Sequence, residues 1–114
     1  RIRKQDLIAD NSAAKYVVVG NSRLSPAEIN LASEETVVEI NGTEVGRGAG
    51  AEVMAHPAKA VAWLVNRLAE SGYSISPGQF VIPGSLIAPV ATKSGDRVSA
   101  IFSNIGLVSV QFTQ

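Results

Sequence analysis

Cysteine is absent from the 114 residues. That excludes thiol nucleophiles, zinc sites built on thiolates and any disulfide framework, and it fits a reducing compartment. Aromatic residues make up only 5% of the chain, so Val, Ile, Leu and Ala must fill any core. Net charge is missing as well: ten Lys and Arg balance ten Asp and Glu. A general electrostatic pull toward nucleic acid or an anionic membrane is thereby removed, and neither is expected as a partner. No apolar run approaches the roughly 20 residues that span a bilayer. The opening Arg1-Ile2-Arg3-Lys4-Gln5-Asp6 has no apolar stretch of a secretory signal behind it. There is also no initiator Met, so the N-terminus is expected to be processed, truncated or the start of a supplied piece. A single cytoplasmic domain with a modest core is the expectation from these bounds.

What is present is organised around His56–Pro89. Pro57 suits a first helical turn, where its missing N–H would be unpaired anyway. Val61, Leu64, Val65 and Leu68 then fall at the spacing of one helical face. Gly72 can take positive φ and close the helix. The spacing predicts one helix over about 57–71, long enough to cover a sheet, with Trp63 partly buried beside the stripe.

The rest reads as short strands. Lys15–Gly20 is an apolar run of strand length. Ser25-Pro26-Ala27-Glu28 has the Ser and Glu of a capped helical turn. Asn41-Gly42 between Thr36–Ile40 and Thr43–Gly48 predicts a hairpin with a two-residue turn, because both turn residues tolerate positive φ. Gly46, Gly48 and Gly50, spaced by two, mark either close backbone approach or a bulged edge. Gln79–Ile82 reads as a buried strand ended by Pro83, with Gly84-Ser85 a tight loop. A second hairpin is expected over Arg97–Ser103 and Leu107–Thr113. There Val98, Ala100 and Phe102 share one face, and Val108, Val110 and Phe112 share one face of its partner.

These residues show no complete catalytic set. His56, the only histidine, could accept a hydrogen bond from the first-turn amides. A catalytic role needs a partner within reach, and no carboxylate is obviously placed for it. Glu34, Glu35 and Glu39 lie on or beside a strand, where neighbours point to opposite faces, so they do not converge as a hard cation requires. The glycines lack the Lys-Ser/Thr of a phosphate-binding loop. Ser85 lacks a base for nucleophilic work. Its hydroxyl with two loop amides is nonetheless a carboxylate-binding shape.

Read together, the segments point further. Ile8-Ala9-Asp10-Asn11, the run from Val38 to Gly72, Pro77–Leu86, Ser94–Val98 and Ile105–Phe112 occur in this order. That series resembles the C-terminal part of the 2-keto-4-pentenoate hydratases and 4-oxalocrotonate decarboxylases, within the fumarylacetoacetase superfamily. Residues 1–114 would then be the C-terminal portion of one fumarylacetoacetase-like catalytic domain. The resemblance implies an α+β, β-rich fold: a mixed β-roll or flattened barrel with one main covering helix over about 57–71. It implies a metal-dependent lyase of aromatic degradation that adds water to a 2-hydroxydienoate and yields a 4-hydroxy-2-keto acid. Mg²⁺ or Mn²⁺ is the implied cofactor and a small 2-oxo or 2-hydroxydienoic acid the implied partner, in a homo-oligomer. By the same resemblance Asn11, Gly84 and Ser85 contact substrate, while Asp10, His56 and Pro57 are structural near the site. Ala55 stands where the family has Gly, and Ala13 and Ala14 stand where it usually has Ser. The stretch from Arg1 to Ala9 is also shorter than the family's. The metal carboxylates and catalytic Lys of the family lie upstream of this region, so no metal ligand is assigned here. Decarboxylation on the same scaffold, and a non-catalytic subunit that binds small molecules, are the alternatives. The Pro83-Gly84-Ser85 loop resembles the hydratases more than the decarboxylases.

Overall fold

A computed structural model describes residues 14–113 of the chain. Two antiparallel hairpins carry the architecture. Strand β1 (Glu35–Ile40) turns through Asn41 and Gly42 into β2 (Thr43–Ala49). Both turn residues have positive φ, 53° and 81°, which matches the twist of the flanking strands. Strands β3 (Arg97–Phe102) and β4 (Gly106–Gln111) form the second hairpin. The hairpins join through β1 and β3, giving one antiparallel sheet in the order β2-β1-β3-β4. Its central register pairs Val38 with Ala100 and Ile40 with Val98. The second hairpin pairs Val98 with Val110 and Ala100 with Val108. The expected alternation therefore holds, and these half-buried apolar residues line one face.

Buried carboxylates fasten both ends of the sheet. Glu34, 4% exposed, accepts from the Asn104 amide at 2.8 Å, the Asn104 side chain at 2.8 Å and the Ile105 amide at 3.2 Å. Burial pushes this carboxyl up, but the three donors together outweigh it and hold it below the usual range. At the opposite end Asp96 accepts from the Lys93 amide and the Asn41 side chain, both at 2.9 Å. The Lys93 amide, then Asn41, hold its carboxyl low against an opposing effect of burial. Asn41 also accepts from the Arg97 amide at 2.9 Å, so one side chain ties the first turn to the start of β3.

Helix α1 (Pro57–Ala69) follows a short 3-10 turn at Gly50–Glu52. It is two residues shorter than the expected 57–71, and Gly72 closes it with φ 76° as anticipated. The helix does not cover the sheet. It has no buried residue and at most marginal contact with any strand. Its stripe residues Leu64 and Leu68 instead face Tyr73, Ile75, Phe80 and Val81 across a shallow hollow. Trp63, expected to be partly buried, is 59% exposed.

Two expected strands do not form. Lys15–Gly20 and Gln79–Ile82 have no ladder partner among the described residues. Their apolar runs lie open: Phe80 is 75% and Val17 55% exposed. A short apolar run fixes neither strand nor burial without a partner to receive it. The capped turn at Ser25 does form, with the Glu28 carboxylate accepting from the Ser25 amide at 2.7 Å. No helix among the described residues is long and apolar enough to cross a membrane.

Candidate functional site

The Pro83–Leu86 loop is shaped by contacts that only glycine permits. Gly84 has φ 150°, a conformation that L side chains rarely adopt. A Cβ there would meet both Val53 methyl groups at 3.3 Å. Val53 is the only apolar side chain among the described residues that is fully inside, at 6% exposure. Two residues on, the Leu86 carbonyl oxygen lies against the backbone of Gly48 in β2, where any Cβ would overlap it. The Ile87 side chain packs over Gly46, its Cδ1 3.2 Å from where a Cβ would stand. The glycine row of β2 is thus a seat for the chain leaving Ser85, and both sequence alternatives hold: the backbone is closely approached, and the β1–β2 register shifts between Val38 and Glu39, opposite Glu44 to Gly46, on this edge strand. Gly50 extends this row by pressing on the Leu31 carbonyl.

Ser85 is exposed at the head of this loop and has no hydrogen-bond partner among the described residues. Its hydroxyl is available to a ligand. His56 caps α1: its Nδ1 accepts from the Ala58 amide at 3.1 Å, and Pro57 is the first helical residue. The backbone amide of His56 donates to the Val53 carbonyl at 2.9 Å. His56, Val53 and Gly84 therefore form one continuous support. The preceding Met54 and Ala55 both have positive φ, 51° and 63°. The left-handed conformation at Ala55 is the physical reason a glycine suits that position.

Asp10 and Asn11 lie outside the described residues, as does the basic lead-in Arg1, Arg3 and Lys4. Gly84 and His56 meet at Val53, which links the loop bearing Ser85 to the start of α1 at Pro57. Among the described residues no titratable group hydrogen-bonds Ser85. Among the described residues no group of three or more His, Cys, Asp or Glu could hold a metal ion. Glu34, the most buried carboxylate, is already committed to the β3–β4 turn. The residues described here do not fit a divalent cation.

A cavity of about 610 Å³ opens beside the loop, with Phe80, Val81 and Ile82 on one wall and Phe102, Leu107 and Val108 on another. Its lining is almost wholly apolar. Arg23 at its rim already donates to the Gly20 carbonyl at 2.5 Å and the Ser22 carbonyl at 2.8 Å. Sequence reasoning missed Val53, because one valine in a loop carries no periodic signal. It also missed the partners of Glu34, which lie 70 residues away.

No family model matches the chain. Individual proteins do. The chain is 37% identical over its whole length to the 2-hydroxyhexa-2,4-dienoate hydratase of Comamonas testosteroni, of which it covers 43%. It is 36% identical to the 4-oxalocrotonate decarboxylase of Pseudomonas putida, with 93% of the chain and 40% of that protein matched. The solved 4-oxalocrotonate decarboxylase from Pseudomonas putida G7, complexed with calcium and acetate, superposes with a TM-score of 0.89 at 36% identity. That superposition covers 94% of this chain and 41% of the other.

The fold of the described residues is thus shared with a solved bacterial decarboxylase, and the sequence with hydratases and decarboxylases. The chain is a homologue, along its whole length, of the 2-keto-4-pentenoate hydratase and 4-oxalocrotonate decarboxylase family. It spans about two-fifths of the length of the curated relatives it matches.

Proposed function

We propose that residues 1–114 are the C-terminal, substrate-loop portion of a fumarylacetoacetase-like hydratase domain, folded there as part of a β-roll or flattened barrel. The reaction is addition of water to a 2-hydroxydienoate, through its keto tautomer, to give a 4-hydroxy-2-keto acid. The observation that carries this reading is the 37% identity over all 114 residues to a dienoate hydratase. The Pro83-Gly84-Ser85 loop supports hydration over decarboxylation. Mg²⁺ or Mn²⁺ belongs to the reaction as a whole. With no ligand set among the described residues, its carboxylates are assigned to sequence outside this chain. The homo-oligomer and the cytoplasmic location are part of the same proposal.

This chain's own share is to bind and orient. The unpaired Ser85 hydroxyl and the amides of the Gly84-Ser85 loop receive the substrate carboxylate, an anion that backbone and hydroxyl donors suit. Asn11 supplies a further polar contact and Asp10 fixes its turn. His56 and Pro57 act from behind, by holding Val53 beneath Gly84. The loop is pre-formed, so binding costs little ordering.

The natural polypeptide carrying this sequence, supplied with Mg²⁺ or Mn²⁺, is expected to hydrate 2-hydroxypenta-2,4-dienoate. Ser85→Ala is expected to raise KM about tenfold, the loss of one hydrogen bond to a charged group, with kcat little changed. Release of CO₂ from 4-oxalocrotonate without hydration would instead give the decarboxylase reading. Turnover of neither compound would leave a non-catalytic binding subunit.

A further inference from the structure

Among the asparagines of this chain, Asn41 alone precedes glycine. That dipeptide forms turns, and it is also chemically labile. The Gly42 amide nitrogen can attack Cγ of the Asn41 side chain, because glycine has no Cβ to obstruct the approach. A bond from that nitrogen to Cγ forms, the Cγ–Nδ2 bond breaks and ammonia leaves. Water then opens the cyclic imide at either carbonyl, giving aspartate or isoaspartate. No oxidant, cofactor or second protein takes part. The attack does require the side chain to turn back on its own backbone.

In the folded chain, hydrogen bonds to the start of β3 hold Asn41 out of that geometry. Its Nδ2 donates to Asp96 at 2.9 Å, and its Oδ1 accepts from the Arg97 amide at 2.9 Å. Its backbone amide donates to the Arg97 carbonyl at 2.9 Å. Both polar atoms of the side chain are thus engaged across the sheet. The left-handed φ of 53° fixes the backbone beside them, as the two-residue turn demands. Asn41 and Gly42 are nevertheless exposed, so water for the hydrolysis is at hand. Orientation withholds the reaction, not burial.

The same contacts decide what the reaction would do. Its aspartate product carries a carboxylate oxygen in place of the Nδ2 donor. Asp96, which that donor faces, is 6% exposed. The Lys93 amide, then the Asn41 side chain, hold the Asp96 carboxyl low, so it is an anion at neutral pH. Two carboxylates would then meet at hydrogen-bond distance with no proton between them, an unfavourable pairing. Isoaspartate would also lengthen the main chain inside a turn built for two residues.

We infer that Asn41 is a spontaneous deamidation site held unreactive by the joining of the two hairpins, and that its conversion to aspartate or isoaspartate loosens that joint. The amide is therefore a chemical record of whether β1 and β3 have stayed together. This goes beyond the reaction proposed for the domain and does not depend on it.

The natural polypeptide is incubated folded and, in parallel, in guanidinium chloride at the same pH and temperature. The peptide bearing Asn41 is followed by mass spectrometry. Deamidation there is expected to be at least about tenfold slower in the folded protein, because it must await local opening against two side-chain hydrogen bonds. Equal rates would overturn the protection. Asp96→Ala removes one anchor and is expected to raise the folded rate about threefold or more, with circular dichroism establishing that the variant is folded. An unchanged rate would assign the protection to the turn alone and overturn the role of β3. Asn41→Asp is expected to lower the denaturation midpoint. Asn41→Asp with Asp96→Asn swaps amide and carboxylate while keeping each donor paired, and is expected to recover most of that loss. A double variant no more stable than Asn41→Asp would overturn the clash of carboxylates. The protection itself is read on the unsubstituted protein, so a variant that fails to fold does not shelter the inference.

Discussion

The sheet and the loop that bears Ser85 are held by opposite means. Around the sheet, directional hydrogen bonds do the fastening: Glu34 grips the β3–β4 turn and Asp96 with Asn41 grips the other end. The loop has no such bonds from Ser85. It is held by shape, with Gly48 beneath the Leu86 carbonyl and Val53 beneath Gly84. Polar fastening tolerates small displacements, because a hydrogen bond bends before it breaks. A backbone resting directly on backbone tolerates none. The part of the molecule proposed to touch substrate is therefore sensitive to a single methyl group.

Gly48→Ala should give the largest effect. Its Cβ would occupy the place of the Leu86 carbonyl oxygen, so the loop must move or the strand must yield. A loss of about 3 kcal/mol is expected, read by urea denaturation of the natural polypeptide, together with a raised KM. A change below about 0.5 kcal/mol, the level of an ordinary surface substitution, would show that the loop is not seated on β2.

Glu34→Gln tests the polar side of the comparison. One amide oxygen remains to accept from three donors, and a loss of about 2 kcal/mol is expected. KM should be unaffected, since the turn at Asn104 does not adjoin Ser85. A KM shift as large as that of Gly48→Ala would erase the distinction between the two regions.

Ala55→Gly sharpens the picture from the stabilising direction. Relief of the left-handed Ala55 conformation is expected to add about 1 kcal/mol, seen as a higher denaturation midpoint. An unchanged or lower midpoint would show that the Met54-Ala55 turn carries no strain.

The smallest effect is expected in acid. Glu34 and Asp96 have folded-state carboxyls held below their ordinary values, so the unfolded chain binds more protons in that window. Stability from these groups is complete above the ordinary carboxylate range. It falls as pH drops through the lowered values. Thermal midpoints measured from pH 6 downward should decline, and Glu34→Gln should flatten the decline. An identical slope in the variant would remove Glu34 from this account.

How much was legible in the sequence follows from the same contrast. Asn41-Gly42 announced its hairpin because its chemistry is local. The alternation of Val98, Ala100 and Val108, Val110 announced the second. His56-Pro57 marked a helix start that the structure has, and Gly72 its close. Spaced glycines signalled close approach, yet could not say that Leu86 and Ile87 would be the visitors. The failures lie where a partner decides the outcome. Val17–Val19 and Phe80–Ile82 have the composition of buried strands, but neither is paired or buried within the described residues. Trp63 and the helix stripe misled for the same reason, since an apolar face does not specify what it meets. The family resemblance, not periodicity, supplied the chemistry assigned to Ser85 and Asn11.

The β1–β3 pairing has a consequence for the order in which the molecule assembles. Each hairpin closes across a few residues and is a microsecond event. Joining Asn41 to Arg97 closes a span of 56 residues, at an entropic cost of about 3.5 kcal/mol beyond a constant. Every residue of the helix and of the Ser85 loop lies inside that span. During synthesis the first hairpin can form as soon as it emerges, but the loop stays unconfined until β3 is made and docks. The slow, topology-limited step of folding is thus the one that encloses the segment proposed to hold substrate.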